Sequence, residues 1–190
     1  MTRLKPDTAR RFLASPYARF TSSVVVCLAT LNLVAAVLID LRTFLGPSTP
    51  GDETLFVGPF MLGFLMWGWA IWLLVAAQSA SVGAKWWILS TPLPIVGALL
   101  ACALFGVVAA LSGLGDLTSG QPHYDAVTDT YTLNNHGDLQ VIDEATYQAA
   151  LAAGIRMFAA FPVVASAFGA GLALEHLVRA RRSRAVAPIA

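Results

Sequence analysis

Residues 113–147 read GLGDLTSGQPHYDAVTDTYTLNNHGDLQVIDEATY. The stretch carries six acids, Asp116, Asp125, Asp129, Asp138, Asp143 and Glu144, and no Lys or Arg. Two of the three histidines, His123 and His136, lie in it. Long apolar runs flank it on both sides. One acidic loop set among hydrocarbon-compatible helices fixes how the chain is threaded.

Inside the loop, Tyr131 and Leu133 alternate with Thr130 and Thr132, and Leu139 and Val141 with Gln140 and Ile142. Alternation of period two marks strands. Between them stands Asn134-Asn135-His136-Gly137, and Asn and Gly tolerate the positive φ of tight hairpin turns. A β-hairpin is therefore predicted. Two strands alone are marginal in water. Their apolar face, Tyr131, Leu133, Leu139 and Val141, is expected to rest on the membrane-proximal helix ends. Asp143 is placed to N-cap the helix that follows.

Outward from the loop, four apolar runs predict transmembrane helices at about 20–40, 55–77, 86–112 and 147–178, since about 20 apolar residues cross a hydrocarbon core of about 30 Å. The expected fold is an all-α integral membrane protein, a single four-helix domain over 1–190, with a small extracytoplasmic hairpin in the loop 113–146 between helices 3 and 4. Composition agrees. Hydrophobic residues make up 57% and charged residues 12%, against about 25% charge in soluble domains, and mean hydropathy is +0.68. The first run exceeds the 7–15 residues of a secretory signal and meets Asp40 and Arg42, so it reads as a retained helix. Pro92 and Pro94 predict a kink or unwound turn near Thr91–Ile95, and Pro162 a bend. The Trp86–Trp87 pair beside Lys85 suits the headgroup layer.

Basic residues set the orientation. Arg3, Lys5, Arg10, Arg11 and Arg19 precede the first run, and Arg179, Arg181, Arg182 and Arg184 follow the last. By the positive-inside bias both termini are cytoplasmic and the acidic loop is extracytoplasmic. Four spans, an even number, place both ends on one side independently of charge. The expected location is the plasma membrane, in a multi-pass arrangement, and the abundance of Arg and Ala suggests a bacterial source. A net charge of +1 gives no basic surface for nucleic acid.

Several residues merit individual reading. His123, Asp125 and His136, with Asp129 and Asp138 nearby, are the metal-ligand candidates, because imidazole and carboxylate together suit zinc. Their spacing matches no compact metal motif, and a solvated acidic surface or a partner-binding face, with Tyr131, His136 and Asp138 as contacts, reads more simply. Arg156 falls near the outer interface, where a salt bridge to Asp40, Asp143 or Glu144, or snorkelling, is expected. Asn32 reads as helix-packing glue through an interhelical hydrogen bond. Trp67, Trp69 and Trp72 read as packing or lipid contact. Stripes of small residues, Gly97/Ala101, Gly106/Ala110 and Ala165/Gly169/Ala173, permit close helix approach. Cys27 and Cys102 lie in apolar runs at different depths and read as unbridged thiols; no C-x-x-C is present.

No catalytic set and no cofactor are expected. The spans lack Asp, Glu, Lys and His at mid-depth, which disfavours a pump or proton relay. The expected partners are the bilayer, a membrane or envelope protein engaged through 113–146, and further copies of the chain. The leading expectation is a non-catalytic accessory or structural membrane protein that presents the acidic loop. A small oligomeric transporter or channel component is the alternative, and a membrane enzyme using outer-face His, Asp and Arg groups comes third.

Overall fold

The computed structural model describes residues 5–80, 91–117 and 120–185. In chain order it contains α1 (Pro6–Ala14), α2 (Pro16–Leu45), a one-turn 3₁₀ helix (Asp52–Thr54), α3 (Val57–Ser79), α4 (Leu93–Leu117), the strands β1 (Gln121–Asp125), β2 (Thr130–Asn135) and β3 (Asp138–Ile142), and α5 (Glu144–Ala185). Four of the helices, α2 to α5, are long and apolar enough to cross a membrane.

The basic N-terminal flank, expected only as charge, forms the separate helix α1. Ser15 is extended (φ −67°, ψ 149°) and divides α1 from α2; its Oγ accepts from the Ala18 N–H at 3.1 Å, with Pro16 at the first helical position. That is a capped start. Phe12 packs edge-on to Trp69 and Trp72, with ring centroids 6.2 and 5.9 Å away. Arg10 Nε donates to the Ala80 carbonyl at 3.2 Å. α1 is thereby tied to the far end of α3.

The expected start of the third span at Trp86 lies outside the described residues. Thr91 and Pro92 stand outside any helix, as the expected unwound turn has them, and Pro94 sits in the first turn of α4, where the Ile95 N–H reaches the Pro92 carbonyl at 3.0 Å. The first turn has no intrahelical acceptors for its N–H groups, so proline costs nothing there. The expected kink against the residues before Thr91 lies outside the described residues.

α5 is the hub. At 42 residues and about 1.5 Å per residue it runs roughly 63 Å, about twice a hydrocarbon core. α2, α3 and α4 all pack on it, whereas α3 and α4 barely touch each other among the described residues. Three clusters succeed one another along α5: Ala170 and Ala173 with Val25, Met66 and Leu73; Val163 and Ala167 with Leu33 and Ala36; and Tyr147, Leu151 and Ile155 under the sheet. Close crossings explain the small residues. A Cβ on Gly106 would stand 2.9 Å from Val163 Cγ1, and one on Gly169 3.1 Å from Met66 Cβ. Gly97, from the same predicted stripes, faces nothing within 4 Å. The tightest approach, Gly113 against the Ala153 carbonyl, lies outside those stripes.

The loop forms a three-stranded antiparallel sheet in the order β1-β2-β3, one strand more than the expected hairpin. β1 contains Pro122, which cannot donate to a ladder and so belongs at a sheet edge; β1 is an edge strand. The hairpin register differs as well. Asn135 pairs with Asp138 and Tyr131 with Ile142, leaving His136 and Gly137 as a two-residue turn with φ 53° and 98°. Two positive φ values are what a type I′ hairpin turn needs, and the Asn134 carboxamide oxygen accepts from the Gly137 N–H at 2.8 Å. A two-residue turn sets Ile142, not Leu139 or Val141, on the face of Tyr131 and Leu133.

Candidate functional site

The sheet stands on the first turns of α5. Asp143 caps that helix as expected: Oδ1 accepts from the Thr146 N–H at 2.7 Å, and its carbonyl from the Tyr147 N–H at 3.0 Å. Hydrogen bonds from the Thr146 side chain and N–H stabilise the carboxylate and hold its pKa below the ordinary value. One turn in, buried Tyr147 meets the rings of Tyr131 (4.9 Å) and Tyr124 (6.5 Å), which stack on each other at 5.0 Å. Ile142, Ile39 and Phe56 complete this cluster. The inward face is thus an aromatic staple of the kind that makes an otherwise marginal sheet hold one position.

The β1–β2 turn is internally bonded. Asp125 accepts from the Val127 N–H at 2.9 Å and from the Thr128 hydroxyl at 2.8 Å. These two bonds depress its pKa. Tyr124 donates to Asp129 at 3.0 Å, and that bond raises the tyrosine's pKa by favouring the protonated ring. Burial does the same for Tyr131.

The outward face follows from the register: His123 and Asp125 on β1, Thr130 and Thr132 on β2, Leu139 and Val141 on β3. Leu139 is 62% exposed and Val141 70%. β1 and β2 lean on α5, β3 reaches its cluster through Ile142, and the far edge of β3 has no strand beside it among the described residues. Val127 at the opposite tip is 94% exposed.

Of the metal candidates, His123 and Asp125 share the outward face of β1, and His136 stands apart from them at the other end of β2. Asp125 is engaged in its turn, and His136 forms the hairpin tip. Among the described residues no three His, Cys, Asp or Glu side chains converge on one point. Asp138 pairs across the turn with Asn135 and is part of that tip.

Beneath the sheet lies a second polar group. Arg156 Nε donates to the Ala152 carbonyl at 3.2 Å, its Nη1 reaches Ser112 Oγ at 3.4 Å, and its guanidinium sits 4.9 Å over the Phe44 ring. None of the three acids expected to pair with it forms an ion pair with it among the described residues. Asp40 is fully buried, and neither carboxylate oxygen has a hydrogen-bond partner among the described residues. Asp40 lies in an apolar run next to Arg42, and only the fold reveals that the first side chain points inward.

Deeper, Asn32 Nδ2 donates to Ser166 Oγ at 2.8 Å and to the Pro59 carbonyl at 3.0 Å, joining α2, α5 and α3. Sequence reading missed a third cluster. The buried Glu175 carboxylate accepts from the Thr91 N–H and hydroxyl, both at 2.8 Å, and from Arg179 Nε at 2.6 Å. The i, i+4 spacing of Glu175 and Arg179 was a signal for that pair; the Thr91 bonds span two helices and had none. Cys27 and Cys102 are free thiols, one exposed on the helix surface and one partly covered. No family model, no curated protein and no solved structure matches this chain, so its own residues carry the functional reading.

Proposed function

We propose that the chain is a non-catalytic, multi-pass protein of the plasma membrane, with both termini cytoplasmic, that presents the three-stranded sheet outside the membrane to another membrane or envelope protein. The observation that supports this reading is the exposed apolar pair Leu139–Val141 beside the open edge of β3. Soluble sheets blunt such edges with Lys, Pro or a covering element. Among the described residues this edge has none of these, and its apolar residues stand on a platform fixed by three tyrosines. An open edge with alternating apolar side chains suits strand addition by an extended segment of a partner, with backbone bonds for affinity and side-chain contacts for specificity. The acids Asp138 and Asp143 at its ends favour a basic segment.

The test places a photo-crosslinking amino acid at Val141, or at the buried inward Leu133, in intact cells. One discrete adduct from position 141, absent from 133 and lost with Leu139→Lys, is the expected result. No adduct, or one indifferent to Leu139→Lys, removes the reading.

A further inference from the structure

Away from the sheet, α3 and α4 each pack on α5 but barely touch one another among the described residues. The gap between them is a cleft of about 510 Å³. Its walls are apolar, with Trp67 from α3, Leu99 and Ala103 from α4, and Phe168 and Gly171 from α5. Its polar groups gather at one end, where Gln78, Thr91 and Glu175 lie.

Length and lining together point to an occupant. Along α5 the lining runs from Val164 to Glu175, roughly 16 Å at about 1.5 Å per residue. Half of a bilayer's hydrocarbon thickness is about 15 Å, the reach of one acyl chain within one leaflet. An apolar wall with polar groups at one end is the lining an amphiphile needs. In a bilayer, phospholipid is the solvent and hence the most concentrated amphiphile. The polar end also lies where a head would be held. Gln78 offers two amide donors to an ester oxygen, and Arg179, Arg181 and Arg182 follow Glu175 along α5 toward the depth of a phosphate, which basic residues attract.

We infer that one acyl chain of a membrane phospholipid is resident in this cleft, with its ester region at Gln78, and that it completes the bundle by filling the seam between α3 and α4. The inference requires the helices to lie in a bilayer. It is independent of what the sheet binds, and crosslinking at Val141 does not bear on it.

The test uses the full chain in mild detergent with added palmitoyl-oleoyl phosphatidylcholine, read by native mass spectrometry. The expected result is one retained phospholipid per chain, and retention at least tenfold lower in the cleft-filling variant Ala103→Phe/Gly171→Leu. A Cβ at Gly171 meets Leu99 Cδ1 at 3.5 Å, ordinary contact, and circular dichroism of the variant checks that it folds. The unaltered chain supplies a second measurement: phosphatidylcholine with a diazirine in its acyl chain should label residues 96–103 and 164–172. No adduct, an adduct equally retained by the filled variant, or label spread over the outer face of α2 at Leu31 and Leu38 would overturn the inference. So would a dimer that the filled variant abolishes, which would assign the cleft to a second copy.

Discussion

At the scale of single residues, the two kinds of acid in this chain behave oppositely. Asp125 and Asp143 are exposed carboxylates that accept local hydrogen bonds, and both are held below the ordinary value of 3.8. A depressed folded pKa means that the carboxylate stabilises the fold above pH 3.8 and that this contribution fades as pH falls through the lower, folded value. Amide protection at Val127 and Thr146 should therefore be flat from neutral pH to about pH 4 and drop below it, and Asp125→Asn/Asp143→Asn should remove most of that drop. Protection that falls already near pH 6 would show that these bonds do not govern the turn and cap. Asp40 is the other kind, a fully buried carboxyl whose oxygens have no hydrogen-bond partner among the described residues. A buried polar group left unsatisfied costs about 1–3 kcal/mol. Asp40→Leu should therefore leave stability unchanged or raise it in reversible unfolding. A loss of more than about 1 kcal/mol would show that the carboxyl is engaged.

At the scale of elements, legibility depended on whether the deciding interaction was local. The four apolar runs, the Asp143 cap and the strand character of 130–142 are local patterns, and the structure has them. Register is not local in that sense. Tyr131 and Leu133 were readable as inward-facing, but the partner strand's parity depends on whether the turn holds two residues or three, and a one-residue change reverses every side chain beyond it. The sequence Asn-Asn-His-Gly offers glycine for either count. β1 was hidden by Pro122, which argues against a strand unless the strand is known to be an edge. Pro92 and Pro94 fix the start of α4, because a first turn tolerates proline where a helix interior does not. Glycines show the same limit: Gly97 and Gly113 look alike in the sequence, yet Gly113 abuts the Ala153 carbonyl while Gly97 meets open space. Gly113→Ala should push α4 off α5 and lower the melting temperature. Gly97→Ala should leave it unchanged or raise it, since alanine gains up to about 1 kcal/mol over glycine in a helix interior. Equal losses at both sites would show that propensity alone, not the crossing, sets the response.

At the scale of the whole molecule, α5 acts as a mast. Its first turns carry the sheet, its middle packs the other three long helices, and its last turns carry the basic residues. Charge is sorted along this axis, with the acids of the sheet at one end and the arginines of α1 and the α5 terminus at the other. Hydrophobic length alone permits either threading of such a rod; the proposed one rests on the sorting, since basic flanks tend to be retained on the cytoplasmic side. This predicts a measurable asymmetry. With Cys27 and Cys102 replaced by alanine, a single cysteine at the exposed Val127 should react with a membrane-impermeant maleimide in intact cells. A single cysteine at Ser183 should react only after permeabilisation. If Ser183→Cys is the site labelled from outside, the sheet faces the cytoplasm, and an envelope partner at β3 becomes topologically impossible. The phospholipid in the α3–α4 cleft would then belong to the outer leaflet, because Gln78, Thr91 and the α5 arginines would all change sides with the termini.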